Sequence, residues 1–181
     1  DQNWVEKYKE GIKPIRFGKR LWVVPSWDIF IQAQGVITLK MDPGMAFGSG
    51  SHETTHLCLE YLEKSEINDL TILDYGCGSG ILSIAAVLLG ANAVIATDID
   101  PLALKSTKEN AKNNNALEKL DIVEPSSIPK ININMIVANI FSNTLIDHRN
   151  TFSSMLGTGS RLVLSGILEH QLEIVIDHYE K

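Results

Sequence analysis

Residues 71–80 constrain the fold more than any other part of the chain. Thr71-Ile72-Leu73-Asp74-Tyr75 is a short apolar run of strand type. It enters three glycines at alternate positions, Gly76, Gly78 and Gly80, and Ile81–Leu89 follows with helical character. A strand that feeds a helix through a glycine turn is the first half of a βαβ unit, whose next strand lies parallel to the first.

The rest of the chain repeats that alternation. Ala93–Thr97 reads as a second strand ending at Asp98, and Pro101–Asn113 as a second helix. Leu120–Val123, Met135–Ala138 and Arg161–Ser165 supply the third, fourth and fifth strands. Helices are expected over Glu53–Glu63, Ser142–Met155 and Glu169–Tyr179, and Asn113-Asn114-Asn115 as a helix end and turn. This predicts an α/β fold with a doubly wound, mostly parallel sheet and helices on both faces. Before it, Ile15–Gly18, Leu21–Pro25 and Val36–Met41 read as short strands, with a turn at Gly18-Lys19. Trp4 and Tyr8 suggest the end of a helix. Residues 1–40 are thus expected to be a linker and short β segment, and residues 41–181 the main domain.

Composition excludes several classes. The chain has 181 residues, 16 Lys and Arg against 22 Asp and Glu, and a net charge of −6. Such a surface repels a phosphate backbone, so a basic or neutral partner is expected rather than direct nucleic-acid binding. No apolar run is long enough to span a membrane, and nothing at Asp1-Gln2-Asn3-Trp4 reads as a secretory signal. Two cysteines, Cys58 and Cys77, make neither a disulfide framework nor a four-thiolate metal site. The expected location is the cytoplasm.

Glycines at the strand end let the backbone turn tightly and let a ligand approach the main chain. A dinucleotide fingerprint places its last glycine one residue later, where this chain has Ile81, which argues against a bound pyrophosphate. Eighteen residues past Gly80, Asp98 ends the second strand, where an acid accepts hydrogen bonds from ribose hydroxyls. Asp100-Pro101 is better read as a helix N-cap followed by proline at the first helical position. The Gly44–Ser51 loop has the composition of a flexible cover, with Phe47 as its apolar lid. Cys77 reads as a small buried filler.

The order strand, GxGxG, helix, strand, Asp resembles the class I S-adenosylmethionine-dependent methyltransferases, with their Rossmann-like methyltransferase sheet. The segments Asp42–Thr55, Asp74–Leu82, Asp98-Ile99-Asp100-Pro101, Ala138-Asn139-Ile140 and Leu164-Ser165-Gly166-Ile167-Leu168, in that order, are similar to the ribosomal protein L11 methyltransferase family from about Phe17 onward. The resemblance implies S-adenosylmethionine as cofactor, with contacts at Thr55, Gly76, Gly78, Asp98 and Asn139. It also implies N-methylation of lysine side chains and the terminal amine of a basic ribosomal protein. Glu53 stands where the family usually has proline. The family's N-terminal recognition domain and its closing antiparallel hairpin are expected to be absent.

Methyl transfer from a sulfonium to an amine is an in-line displacement that needs alignment and a deprotonated nucleophile. Asn139, at the end of the fourth strand, is the candidate catalytic residue, positioning the acceptor amine through its oxygen acceptors. It partly matches the Asn/Asp-Pro-Pro-aromatic element of amino-methylating enzymes, with Ile140 and Phe141 in place of both prolines. A nucleic acid or small molecule as acceptor, or a donor-binding module without activity, remain the alternatives. A competing motif, His52-Glu53-Thr54-Thr55-His56, has the zinc-peptidase spacing. The extended pattern's glycine and third histidine would fall on Leu59 and Leu62, so no metal is expected. Lys105, Lys108 and Lys112 read as a solvated stripe diluted by Glu109.

Overall fold

A computed structural model describes residues 13–28, 34–42 and 53–180. The chain opens with three short strands, β1 (Ile15–Phe17), β2 (Leu21–Val24) and β3 (Ile37–Lys40), in the order β1-β2-β3. β1 and β2 are antiparallel across the turn at Gly18, and β3 runs parallel to β2. Helix α1 (Glu53–Lys64) leads into the alternating region: β4 (Thr71–Tyr75), α2 (Ile81–Leu88), β5 (Ala93–Thr97), α3 (Pro101–Asn113) and β6 (Leu120–Val123). Then come β7 (Ile133–Asn139), α4 (Ser142–Asp147), α5 (Arg149–Met155), β8 (Leu156–Ser165) and α6 (Leu172–Tyr179).

The main sheet has the order β6-β5-β4-β7-β8, and every described pairing in it is parallel. Its three central strands, β4, β5 and β7, are buried on both faces, which is why they read as mainly apolar runs, while the edge strands β6 and β8 are more open. Ile72, Val94, Ala96, Met135 and Val137 enter one core, while Leu73, Ile95, Ile136 and Ala138 enter the other. That is the period-two alternation of a strand sorting its neighbours to opposite faces. The first core receives α1, α2 and α3 through Leu59, Leu62, Ile84, Ala85 and Ala111. The second receives Leu145 from α4 and Phe152 from α5, both fully buried. The chain turns from β4 toward β5 in one direction and reaches β7 in the other. The carboxyl ends of β4 and β7 therefore flank the switch point where such sheets hold ligands.

Three elements depart from the sequence expectation. The helix expected over 142–155 is two helices, because His148 leaves helical dihedrals (φ −91°, ψ 2°) while its Nδ1 lies 2.9 Å from the Thr144 carbonyl. Its ring packs on Tyr75 and Phe152, at centroid distances of 5.1 and 5.9 Å, which fixes the break against the sheet. β8 begins five residues before Arg161. Gly159 at φ +83° carries an irregularity that lets Leu156 pair with Ile133 before the regular register resumes at Arg161. The last helix starts at Leu172 behind a separate 3-10 turn, Glu169–Gln171. No helix among the described residues is long and apolar enough to cross a membrane.

Candidate functional site

The glycine loop is built from backbone hydrogen bonds to its neighbour strand. Gly76 N and Cys77 N both donate to the Thr97 carbonyl, at 2.8 and 2.9 Å, and Gly80 N donates to Cys77 O at 2.7 Å. Gly76, Gly78 and Gly80 have φ of 80°, 55° and 79°, a region that side chains rarely enter. Gly76 is required twice over, since a Cβ there would collide with Ile140 Cγ2. Gly80 is the N-cap of α2 and offers no side chain to its first amides. Asp74 substitutes from the strand: its Oδ2 accepts from Ser83 N at 3.0 Å and from Ser83 Oγ at 2.5 Å. Burial pushes the Asp74 carboxyl up to about 6, against the lowering effect of the Ser83 bonds, with the Asp98 charge raising it further.

Asp98 reaches into the same loop. Its Oδ2 accepts from Gly78 N at 3.0 Å, and its Oδ1 accepts from Asp100 N at 3.0 Å. Asp100 caps α3 as expected, its Oδ1 accepting from Leu102 N at 2.9 Å ahead of Pro101. Across the switch point, Asn139 Nδ2 donates to Thr55 Oγ1 at 3.1 Å, joining the end of β7 to the first turn of α1. Ser165, which pairs with Asn139 in the sheet, donates its hydroxyl to the Thr54 carbonyl at 3.2 Å. Thr55 is buried, whereas Phe141, two residues past Asn139, is 78% exposed.

The structure therefore brings Gly76, Gly78 and Asp98 together at one side of the switch point, and Thr55 and Asn139 at the other. Phe47, Trp4, Tyr8 and the Gly44–Ser51 loop lie outside the described residues, as does His52. Sequence reasoning missed Asp74 as the cap of α2, and missed Thr107 and Asn110, whose side chains bond to Gly78 O and Ser79 O. Asp74 was legible as an acid two residues before Gly76, but its capping role depends on the fold. His56 packs on Phe17 (4.6 Å between centroids) and pairs with Glu60 at 3.4 Å. Glu63 accepts from Arg20 N and Nε at the turn after β1. Among the described residues no group of three or more His, Cys, Asp or Glu is placed to hold a metal ion. Burial raises the Cys58 thiol to about 11 and the Cys77 thiol further, which keeps both protonated at neutral pH.

A five-stranded parallel sheet of this order, a GxGxG turn and an acid ending the neighbouring strand define a Rossmann-like methyltransferase fold. The profile described as "Ribosomal protein L11 methyltransferase (PrmA)" matches residues 1–181, and the chain belongs to that family. A ribosomal protein L11 methyltransferase of Pseudomonas fluorescens SBW25 is 45% identical over 182 residues, covering 100% of this chain and 62% of that protein. One of Nitrosococcus oceani is 44% identical over 179 residues, covering 99% and 61%. The chain thus spans about three fifths of the length of the curated relatives it matches. The crystal structure of a ribosomal protein L11 methylase from Lactobacillus delbrueckii subsp. bulgaricus superposes with a TM-score of 0.82 at 32% identity, covering 93% of this chain and 88% of that one.

Proposed function

We propose that the crevice at the carboxyl ends of β4, β5 and β7 binds S-adenosylmethionine, and that the protein transfers its methyl group to lysine side-chain and terminal amines of a ribosomal protein. The observation that carries this reading is the placement of the glycine loop with Asp98 on one side of the switch point and the Thr55–Asn139 pair on the other. The residues fit the donor. Each Asp98 oxygen accepts one backbone bond and retains a second lone pair, so the carboxylate still has capacity for two ribose hydroxyls. Ile99, one residue beyond, offers an exposed apolar surface. When bound, the sulfonium supplies an electrophilic methyl group and its own leaving group.

The chain's residues supply position and a desolvating environment. With its Nδ2 committed to Thr55, Asn139 keeps Oδ1 as an acceptor at the strand end, suited to orient an amine N–H. An ammonium drawn from water into that crevice loses hydration, which favours release of its proton to water and leaves the neutral, nucleophilic amine for Asn139 to orient. Cys58 and Cys77, protonated and buried, do not compete as nucleophiles. The net charge of −6 favours a cationic acceptor over a polyanion, and the family's description makes ribosomal protein L11 the acceptor to test. Isothermal titration with S-adenosylmethionine, then transfer of labelled methyl to purified L11, tests both halves. Stoichiometric donor binding and label on L11 amines are expected. A folded chain that takes no donor overturns the reading.

A further inference from the structure

Helix α3 holds the glycine loop from behind. Thr107, fully buried about two turns into α3, donates its hydroxyl to Gly78 O at 3.1 Å and lies 3.3 Å from Cys77 Sγ. Asn110, one turn further, donates Nδ2 to Ser79 O at 2.9 Å. A Cβ on Gly80 would fall 2.7 Å from Thr107 Cγ2, so the helix also sets how close the loop may approach. Because a peptide group is planar, fixing those two carbonyls also fixes the amides of Ser79 and Gly80. Gly78 N is fixed separately on Asp98. Glycines cannot hold this arrangement by themselves, since they populate positive and negative φ about equally.

We propose that Thr107 and Asn110 are positioning residues for the methyl donor: they orient the 78–80 backbone that the donor meets, and they set donor affinity through it. This rests on the reading of the crevice as an S-adenosylmethionine site. Thr107→Val keeps the shape of the side chain and removes the hydroxyl. It is expected to weaken donor binding by between about fivefold and a hundredfold, the usual range for coupling between a group outside the ligand and the ligand site. The acceptor KM should stay unchanged and Thr107→Ser should restore affinity. Asn110→Ala, half-buried and safer for folding, should act in the same direction. Lys108→Ala, exposed on the same helix, should do nothing.

Amide NMR of the donor-free protein supplies a second readout, with the Ser79 signal shifting in Thr107→Val and returning in Thr107→Ser, and the Gly80 signal shifting in Asn110→Ala. Unchanged amide signals, or donor affinity equal to wild type in both Thr107→Val and Asn110→Ala, overturn the positioning role. Amides that shift in Thr107→Val, together with a wild-type chain that binds no donor, would instead sink the donor reading while the ties to the loop stand.

Discussion

Asp98 holds the Gly78 amide, and in the proposed function its remaining lone pairs take the ribose hydroxyls. Asp98→Ala therefore should weaken S-adenosylmethionine binding by about 1–3 kcal/mol, the usual cost of stranding such partners. Calorimetry on a folded variant checks it, and unchanged affinity removes Asp98 from the site. Asp74 makes a different prediction. Its folded value of about 6 lies above the ordinary 3.8, so between those values the folded chain holds a proton that the unfolded chain has released. Its contribution to stability therefore falls as pH rises across that window. Relative to Asp74→Asn, which does not titrate, the wild type should lose on the order of 2–3 kcal/mol between pH 4 and pH 7. Urea unfolding at both pH values measures it, and a constant difference would mean Asp74 is ionised throughout. The positions of Asp98, just past β5, and Asn139, the last residue of β7, were legible because each stands at a strand end in the pattern. The work of Asp74, Thr107 and Asn110 was not, because their partners are reached through space, up to 31 residues away in sequence.

At the scale of elements, the alternation of strand and helix was readable because the central strands are mainly apolar and glycines or Asx residues punctuate them. The break at His148 was not, since neither proline nor glycine marks it and the ring's packing on Tyr75 sets it. The early start of β8 was hidden because Gly157 and Gly159 break the apolar pattern, yet both are part of an irregular strand. The exits of β4 and β8 both lean on the exit of β7. A Cβ on Gly76 would strike the Ile140 side chain, and one on Gly166 would strike its backbone carbonyl. A side chain can change rotamer and a strand-end backbone cannot, so the two glycines should differ. Gly166→Ala should cost about 2–4 kcal/mol and Gly76→Ala about 1–2, part of each being strain at φ +80°. Equal losses in thermal unfolding would show that the φ strain alone decides, and that the β7 exit yields.

Across the whole molecule, the two sheets share one core. Phe17, Leu21, Val23 and Leu39 from the small sheet pack in the same cluster as Leu59, Leu62 and Ile84. Two polar ties reinforce it. Glu63 accepts from Arg20 at the turn after β1, and the Asn114 side chain brackets Lys40, accepting from its N at 2.7 Å and donating to its O at 2.8 Å. In sequence Asn114 is part of a helix end, and nothing there announces that its amide joins β3 to α3. This arrangement predicts that residues 15–40 do not unfold separately from the main sheet. Trp4, Trp22 and Trp27 all lie in the first 28 residues, so tryptophan fluorescence reports the N-terminal segment alone. Far-UV circular dichroism reports chiefly the helices of the main domain. Both should follow one transition. Asn114→Ala, which leaves the Lys40 backbone groups unpaired, should lower both midpoints together by about 2–8 °C, from roughly 1–2 kcal/mol at this chain length. Fluorescence that melts well before the dichroism, or an Asn114→Ala shift confined to fluorescence, would mean that the small sheet is an independent unit docked on the main one.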